Sequence, residues 1–522
     1  MWRPDDPQGG ESLKIRWEIV PFTRGKVLDI GCGPVKPFEH FIGLDNNADA
    51  GLFGIQARPN IWIKDARDLA QFASAQYDSV FSSHLLEHIE YADVPAALKE
   101  WWRLIKVGGY LVLYLPDEDQ YPKVGETHAN PDHKWNVNFD RVLQAMRKIG
   151  GWDLIEFQKR DQGQEYSLFF VFRKIHGDKQ RQGWKTPKPE KTVAVIRYGA
   201  FGDLMQASSI FAGLKAQGYH VTLYSTLPGA AVIENDPNID QVILQDKDQV
   251  PNHELGAFWK YIGQKYDRVV NLSESVEGTL LALPGRIQHG WHPMLRHRML
   301  DHNYLEFQHD IAQVPHKPQI RFFASDDEKK WARRERAKMG TFTVLWVLAG
   351  SSVHKTWPYV DNVVAALMQA HPGIHVVFCG GPVEKMLEAG WENEPRVHKT
   401  CGVWSIRETL AFLDQADAVI GPETGVLNAA SCLSIPKIVF LSHSTHQNLT
   451  RDWVNVYPLA AETLTCKGRG ENEAPACHQL HYSWDNCNRE EAGVASCQAA
   501  IPADRVTDIL NVILDAHFKK AA

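Results

Sequence analysis

Short runs of Val, Ile, Leu and aromatic residues alternate along the chain with longer stretches whose apolar residues return every three or four positions. The runs at 27–30, 79–82 and 110–115 have the length and composition of buried strands. Between the last two, 96–104 spaces Ala, Leu and Trp along one helical face, and the pair Gly108-Gly109 reads as its breaker. The rhythm resumes at 192–196, 221–224, 269–272, 344–348, 375–379, 418–420 and 437–441. Alternation of this kind predicts an α/β fold, with parallel sheets covered by helices on both faces. Such sheets place ligands beyond the carboxyl ends of their strands.

One break in the pattern is clear. KIHGDKQRQGWKTPKPEK, at 174–191, is polar and basic, holds two Pro and has no apolar period. That is a linker composition. A second, charged helical stretch at 324–339 precedes a new strand. The predicted organisation is a domain at 1–175, a linker at 176–190, a lobe at 191–330 and a further lobe at 331–522. There is no internal repeat of roughly 20–50 residues, although three similar α/β units follow one another.

Composition narrows the function classes. The chain has 522 residues, 44% of them apolar and 23% charged, which excludes disorder as the main state. Lys and Arg number 56 against 63 Asp and Glu, a net charge of −7. Coating nucleic acid needs a basic surface, so that class is disfavoured. No apolar run approaches the ~20 residues of a membrane span. MWRPDDPQGG holds no basic segment followed by an apolar one, which predicts no secretory leader. Eight Cys do not make a disulfide scaffold. The expectation is a cytoplasmic protein without a transmembrane segment, compatible with work at a membrane surface.

The first chemical constellation begins where the run 27–30 meets the turn Asp29-Ile30-Gly31-Cys32-Gly33. Glycines there let the backbone approach a ligand that a side chain would block. A second strand at 41–45 ends in Asp45, where a carboxylate can accept both hydroxyls of a ribose. A third, at 61–64, leads to Asp65, placed to meet an adenine amino group. A fourth runs into SSHLLEHI, at 82–89, and a fifth follows from RLIKVGGYLVLYLPD, at 103–117. The order LDIGCG, SSHLLEHI, RLIKVGGYLVLYLPD resembles a class I S-adenosylmethionine-dependent methyltransferase over about residues 20–175. The resemblance implies a Rossmann-like domain. In it Asp29, Gly31 and Gly33 line the methionine part of the cofactor, Asp45 holds the ribose and Asp65 the adenine, with His84 beside them. Eleven residues separate Gly33 from Asp45, fewer than a helix and its turns need, as in shortened members of the group. Methyl transfer needs proximity above all, and a base only when the acceptor is a hydroxyl. His84, His88, His128 and His133 are the available bases, and a structural role for each stands beside the catalytic one. Residues 128–135 read as a loop over the pocket mouth.

The second constellation opens with the strand 193–196 and the turn Arg197-Tyr198-Gly199-Ala200-Phe201-Gly202-Asp203. Asp203 falls in the first turn of a helix, where it either acts as a general base toward a sugar hydroxyl or caps the helix. Further on, AGSSVHKTWP places Lys355 after a strand, where a cation can neutralise a diphosphate leaving group. Gly421-Pro422-Glu423-Thr424-Gly425, followed by Asn428, joins another strand to a helix. With GVWSIRETLAFLDQADAVIGPETG and ASCLSIPKIVF, these segments resemble glycosyltransferase family 9, the ADP-heptose:lipopolysaccharide heptosyltransferases and their relatives, over about residues 191–515. The resemblance implies a GT-B pair of Rossmann-like lobes and a single inverting displacement with no bound metal. Asp203 is then the base, Lys355 meets the donor diphosphate, and Gly202, Glu423, Thr424, Gly425 and Asn428 line the nucleotide-sugar side. Glu423 stands where that family usually has Asp, and Asn428 where it has His.

Taken together, these segments predict a bifunctional enzyme. One half transfers a sugar from a nucleotide-diphospho-sugar to an acceptor hydroxyl, and the other methylates the sugar, its acceptor or the finished glycan with S-adenosylmethionine. Two other readings stand beside it. A virus-type enzyme modifying DNA bases lacks the basic track that phosphate contacts need. A scaffold of degenerate enzyme domains is supported by Glu423 and Asn428 and opposed by intact Asp203 and Lys355. Cys466, Cys477, Cys487 and Cys497, with His478, are open to packing, zinc binding or pairing, since no C-x₂₋₄-C knuckle is present.

Overall fold

Val, Ile and aromatic runs become strands because both faces of each are covered. In a computed structural model of the chain, residues 10–48, 56–183, 189–274, 291–292, 294–295, 298, 301–352, 355–442, 444–461, 490–491 and 493–521 are described. They divide into two compact units, Met1–Glu190 with Leu244–Tyr261, and Lys191–Ile243 with Ile262–Ala522.

The first unit is built on β1 (Val27–Ile30), β2 (Ile42–Asp45), β3 (Ile61–Trp62), β4 (Tyr77–Ser83), β5 (Ile105–Pro116), β6 (Trp152–Arg160), β7 (Ser167–Lys174) and β8 (Gln180–Gln182). Their order in one sheet is β3-β2-β1-β4-β5-β7-β6-β8. β1 pairs in parallel with β2 and β4, while β7 lies antiparallel to β5 and β6. The order reverses between β1 and β4, which opens a crevice at the ends of those two strands. The helix Val94–Leu104 covers one face and buries Ala97, Leu98, Trp101 and Trp102. The indole N–H of Trp101 donates to Ala66 O at 2.8 Å, so the largest buried ring is also satisfied.

Three local expectations are corrected. Gly108-Gly109 does not end a helix. The helix stops at Leu104 and β5 starts at once, with the glycines inside an irregular register opposite Tyr77 and Ser79. Gly108 takes φ +86°, and a Cβ on Gly109 would collide with the Asp78 carbonyl. The third strand covers Ile61–Trp62 only, and Asp65 beyond it is paired with Arg67. Part of the stretch read as a linker is β8, which pairs with β6 through Trp152 and Gln180.

Residues 244–261 interrupt the second unit in sequence yet pack in the first unit. The Gln249 side-chain amide donates to Val20 O and Thr23 O at 2.7 and 3.0 Å. Arg24 pairs with Asp246 at 2.9 Å, and the rings of Trp17 and Phe258 lie 5.6 Å apart.

The second unit holds two sheets. β9 (Thr192–Ile196), β10 (His220–Ser225), β11 (Gln241–Leu244) and β12 (Arg268–Asn271) form the order β11-β10-β9-β12. β13 (Phe342–Val347), β14 (Ile374–Cys379), β15 (Val397–Lys399), β16 (Ala418–Pro422), β17 (Lys437–Phe440) and β18 (Val456–Leu459) form β15-β14-β13-β16-β17-β18, all in parallel. Alternate residues of β13 serve two cores: Val344 and Trp346 on one face, Leu345 and Val347 on the other. The charged stretch before β13 is the helix Asp326–Arg336, started by a capping box between Ser325 and Glu328. Strand order reverses between β9 and β12, and again between β13 and β16. The whole chain is thus α/β, and all three reversals lie where the sequence motifs fall.

Candidate functional site

In the first unit, Asp29, Gly31, Gly33 and His84 line one cavity, together with Glu11, Glu87, His88, Tyr121, His133 and Tyr166. Gly31 and Gly33 take φ +75° and +58°. A Cβ on Gly31 would lie 2.8 Å from Leu85 Cδ2, so glycine is required there on both counts. Asp29 is 1% exposed, and its Oδ2 is buried with no hydrogen-bond partner among the described residues. Burial raises its pKa to about 8, eased by Lys36 and reinforced by Asp45. A buried acceptor left open beside a glycine turn is what the amino group of a bound methionine moiety would satisfy, so these residues fit S-adenosylmethionine.

Asp45 sits under the turn. Its Oδ2 accepts from Gly33 N–H at 2.9 Å and its Oδ1 from Asn47 N–H at 2.6 Å. The carboxylate therefore fixes the glycine loop, with lone pairs left for a ligand hydroxyl. Neither Asp45 nor Asp65 is among the cavity residues. Asp65 is held by Arg67, whose hydrogen bonds keep its pKa below the usual range.

His84 takes a left-handed backbone, φ +49°, which a histidine rarely adopts. Its Nε2 meets Ser167 Oγ at 3.0 Å, and its Nδ1 faces Glu87 Oε1 at 3.6 Å. Burial lowers both His84 and His133 to about 3, so both rings are neutral near pH 7. His133 comes from the loop foreseen at the pocket mouth. Lys134 N–H donates to Glu87 O at 2.9 Å and Trp135 Nε1 to Leu86 O at 3.2 Å, which ties that loop to the SSHLLEHI segment. Glu87, inside that segment, was given no role by the sequence, and Glu11, Tyr121 and Tyr166 carried no signal at all.

In the second unit, Asp203 lies in the first turn of the helix Phe201–Ala216. Its Oδ2 accepts from Ala200 N–H at 2.7 Å and its Oδ1 from Arg197 Nη2 at 2.9 Å. Arg197 itself is 5% exposed. Asp203 therefore does cap its helix, and Arg197, at the end of β9, is the partner that sequence reading missed. Gly202 is where the two sheets' helices meet. A Cβ on Gly425 would lie 2.9 Å from Gly202 N, and Asn428 Nδ2 is 3.4 Å from Gly202 O.

Lys355 lies across the loop from Gly350, where an added Cβ would meet Lys355 Cδ at 2.7 Å and Thr424 Cγ2 at 3.1 Å. Among the described residues no carboxylate pairs with its ammonium. Thr424 Oγ1 and Asn428 Oδ1 are buried without hydrogen-bond partners among the described residues. Glu423 is 4% exposed, and its Oε1 accepts from Ser442 N–H at 2.7 Å and Ser442 Oγ at 2.5 Å. The predicted residues Gly202, Asp203, Lys355, Thr424, Gly425 and Asn428 thus form one run of neighbours, with Glu423 turned toward β17's end. Val353 and His354 lie outside the described residues, as do Cys466, Cys477 and Cys487; Cys497 is buried.

Residues 28–113 match a family model described as a methyltransferase domain, and residues 255–479 match glycosyltransferase family 9 (heptosyltransferase). A candidate glycosyltransferase of Haemophilus influenzae is 23% identical over 316 residues, which cover 53% of this chain and 90% of that protein. Among solved structures, a family 9 glycosyltransferase from Veillonella parvula is 15% identical with a TM-score of 0.46, covering 63% of this chain and 98% of its own. An S-adenosylmethionine-dependent methyltransferase from Archaeoglobus fulgidus is 19% identical with a TM-score of 0.24, covering 31% of this chain and 92% of its own. The chain carries a methyltransferase domain and a family 9 glycosyltransferase domain. Asp29, Gly31, Gly33, Asp45, Asp65 and His84 lie inside the first matched segment. Lys355, Glu423, Thr424, Gly425 and Asn428 lie inside the second, while Gly202 and Asp203 precede it.

Proposed function

We propose that the chain is a cytoplasmic enzyme with two transferase sites. One moves a sugar from a nucleotide-diphospho-sugar to an acceptor hydroxyl, with inversion and without a metal at that site. The other methylates the sugar, its acceptor or the finished glycan. Among the described residues no helix is long and apolar enough to cross a membrane, which is compatible with this reading.

On the sugar side, the acceptor oxygen attacks the anomeric carbon while the bond from that carbon to the diphosphate breaks. Asp203 takes the hydroxyl proton, steadied by Arg197 and the Ala200 N–H. The leaving diphosphate keeps the bonding pair, and Lys355 offsets its charge. Thr424 and Asn428 offer their buried polar atoms to the donor. The observation that carries this half is that run of neighbours from Asp203 to Lys355 around two orphaned polar atoms.

On the methyl side, S-adenosylmethionine when bound supplies a methyl group on a sulfonium. Gly31 and Gly33 let it approach the backbone, Asp29 receives its amino group, and Asp45 takes its ribose. Asp65 is available to its adenine only by releasing Arg67. A tether between two such sites raises the effective concentration of a shared substrate.

A thermal-shift panel tests both halves. S-adenosylhomocysteine and one of ADP, GDP, UDP, CDP or dTDP should each raise the melting temperature, and together raise it further. No shift with any of them would overturn the enzyme reading in favour of the scaffold.

A further inference from the structure

The cavity in the first unit holds more than a cofactor needs. Glu87, His88 and His133 each bring one ligand atom to within 4.8 Å of the others. Glu87 is 0% exposed, and its Oε1 lies 3.7 Å from His133 Nε2 and 3.6 Å from His84 Nδ1. Two ligands of a tetrahedral centre with bonds of ~2.1 Å are about 3.4 Å apart. The Glu87–His133 separation is longer than a hydrogen bond and within a few tenths of an ångström of the spacing a shared cation imposes.

The surroundings are those of a metal site as well. His88 Nδ1 is 2.8 Å from Asp132 Oδ2, which leaves Nε2 as its other ligand atom. Carboxylates in this outer position fix the tautomer and orientation of metal-bound imidazoles. Asp132 is in turn held by Lys134 at 3.1 Å. The strained backbone of His84 is the kind of local cost a functional site sustains.

We propose that Glu87, His88 and His133 bind one divalent first-row metal ion, of the zinc, manganese, iron or cobalt class, inside the methyl-transfer cavity. Two imidazoles and one carboxylate leave coordination positions open toward that cavity. The open positions suit an oxygen donor, so the methyl acceptor is a hydroxyl. The metal lowers the pKa of that hydroxyl, whose proton leaves to solvent. The methyl carbon then passes from sulfonium to oxygen, the C–S pair staying with sulfur as a thioether. The choice of a hydroxyl acceptor rests on the methyltransferase reading above; the metal site itself does not.

The test is Co²⁺ binding by the full chain after treatment with a chelator, read by absorption and by bound metal per chain. The expected result is one Co²⁺ with nitrogen and oxygen ligands. Glu87→Gln, which preserves side-chain shape, and His133→Ala each abolish it. Asp132→Asn weakens it by about 10–100-fold. A chain with Cys466, Cys477 and Cys487 all changed to Ser keeps it. No binding, binding that survives both ligand variants, or a thiolate charge-transfer band that vanishes with the cysteines would each overturn the proposal. S-adenosylhomocysteine binding, measured on the same samples, separates the two claims. Its presence without the metal sinks the metal site alone, and metal without it sinks the methyl-donor reading alone.

Discussion

The two candidate sites are built from opposite materials. The cavity of the first unit is crowded with titratable side chains, among them Asp29, Glu87, His84, His88, His133, Tyr121 and Tyr166. The site of the second unit relies on glycines at tight approaches, Gly202, Gly350 and Gly425, with Asp203 held by Arg197 and Lys355 beside Gly350. The contrast lies in what each proposed donor leaves behind. On the sugar side the leaving diphosphate is anionic, so that site needs a positive charge beside its base. On the methyl side the leaving thioether is neutral, so that site needs no cation to offset it.

The largest effect that would sharpen this contrast is at Asp203. Asp203→Asn should lower sugar-transfer kcat by about 10²–10⁴-fold while nucleotide-sugar affinity stays nearly unchanged. Surviving activity would leave Asp203 as a helix cap only. Lys355→Ala should cost about 10²–10³-fold in kcat and weaken nucleoside diphosphate binding, measured by calorimetry. Neither change should move S-adenosylhomocysteine binding.

The next test concerns stability against pH in the first unit. Burial raises Asp29 from 3.8 to about 8, so the folded state holds a proton that the unfolded chain has lost between those values. That contribution to stability falls as pH rises through the window. Burial lowers His84 and His133 from 6.5 to about 3, so each contribution is lost as pH falls below 6.5. Below about 6.5 two rising slopes outweigh one falling slope, and above it only the falling one remains. Unfolding of the chelator-treated full chain by urea, read on a probe in the first unit, should therefore show a stability maximum near pH ~6.5. Asp29→Asn should flatten the alkaline side, and an unchanged profile would contradict the buried, protonated Asp29.

The smallest effect is expected at Asn428. Its amide reaches Gly202 O at 3.4 Å, a weak bond across the two sheets' helices. Asn428→Ala should cost about 1 kcal/mol in unfolding free energy and raise the KM for nucleotide-sugar only a few-fold. A loss comparable with that of Lys355→Ala would place Asn428 at the centre of donor binding instead.

How much of this was legible in the sequence depends on the range of the interactions. The strands at 27–30 and 192–196 are read directly, because continuous Val and Ile runs bounded by glycine turns have no better state. The glycine motifs fall at the three strand-order reversals for the same local reason. β8 escaped because Gln180–Gln182 has no apolar residue and is held by its neighbour, β6, alone. The packing of residues 244–261 in the first unit rests on Gln249, Arg24 and Trp17, contacts more than 200 positions apart that no local pattern records. The Glu87–His88–His133 cluster joins two segments more than 40 residues apart. Glu87 and His88 stood in a quoted motif, but only the fold brings His133 to them.

The measurement that tests the central claim most directly is paired ligand binding to three forms of the full chain: unchanged, Asp29→Asn and Lys355→Ala. Calorimetry with S-adenosylhomocysteine and with the nucleoside diphosphate that shifts melting would be run on each. Two separate sites predict that Asp29→Asn weakens only the first ligand, by about tenfold, and that Lys355→Ala weakens only the second. Loss of both ligands in either variant, or binding of neither to the unchanged chain, would contradict it.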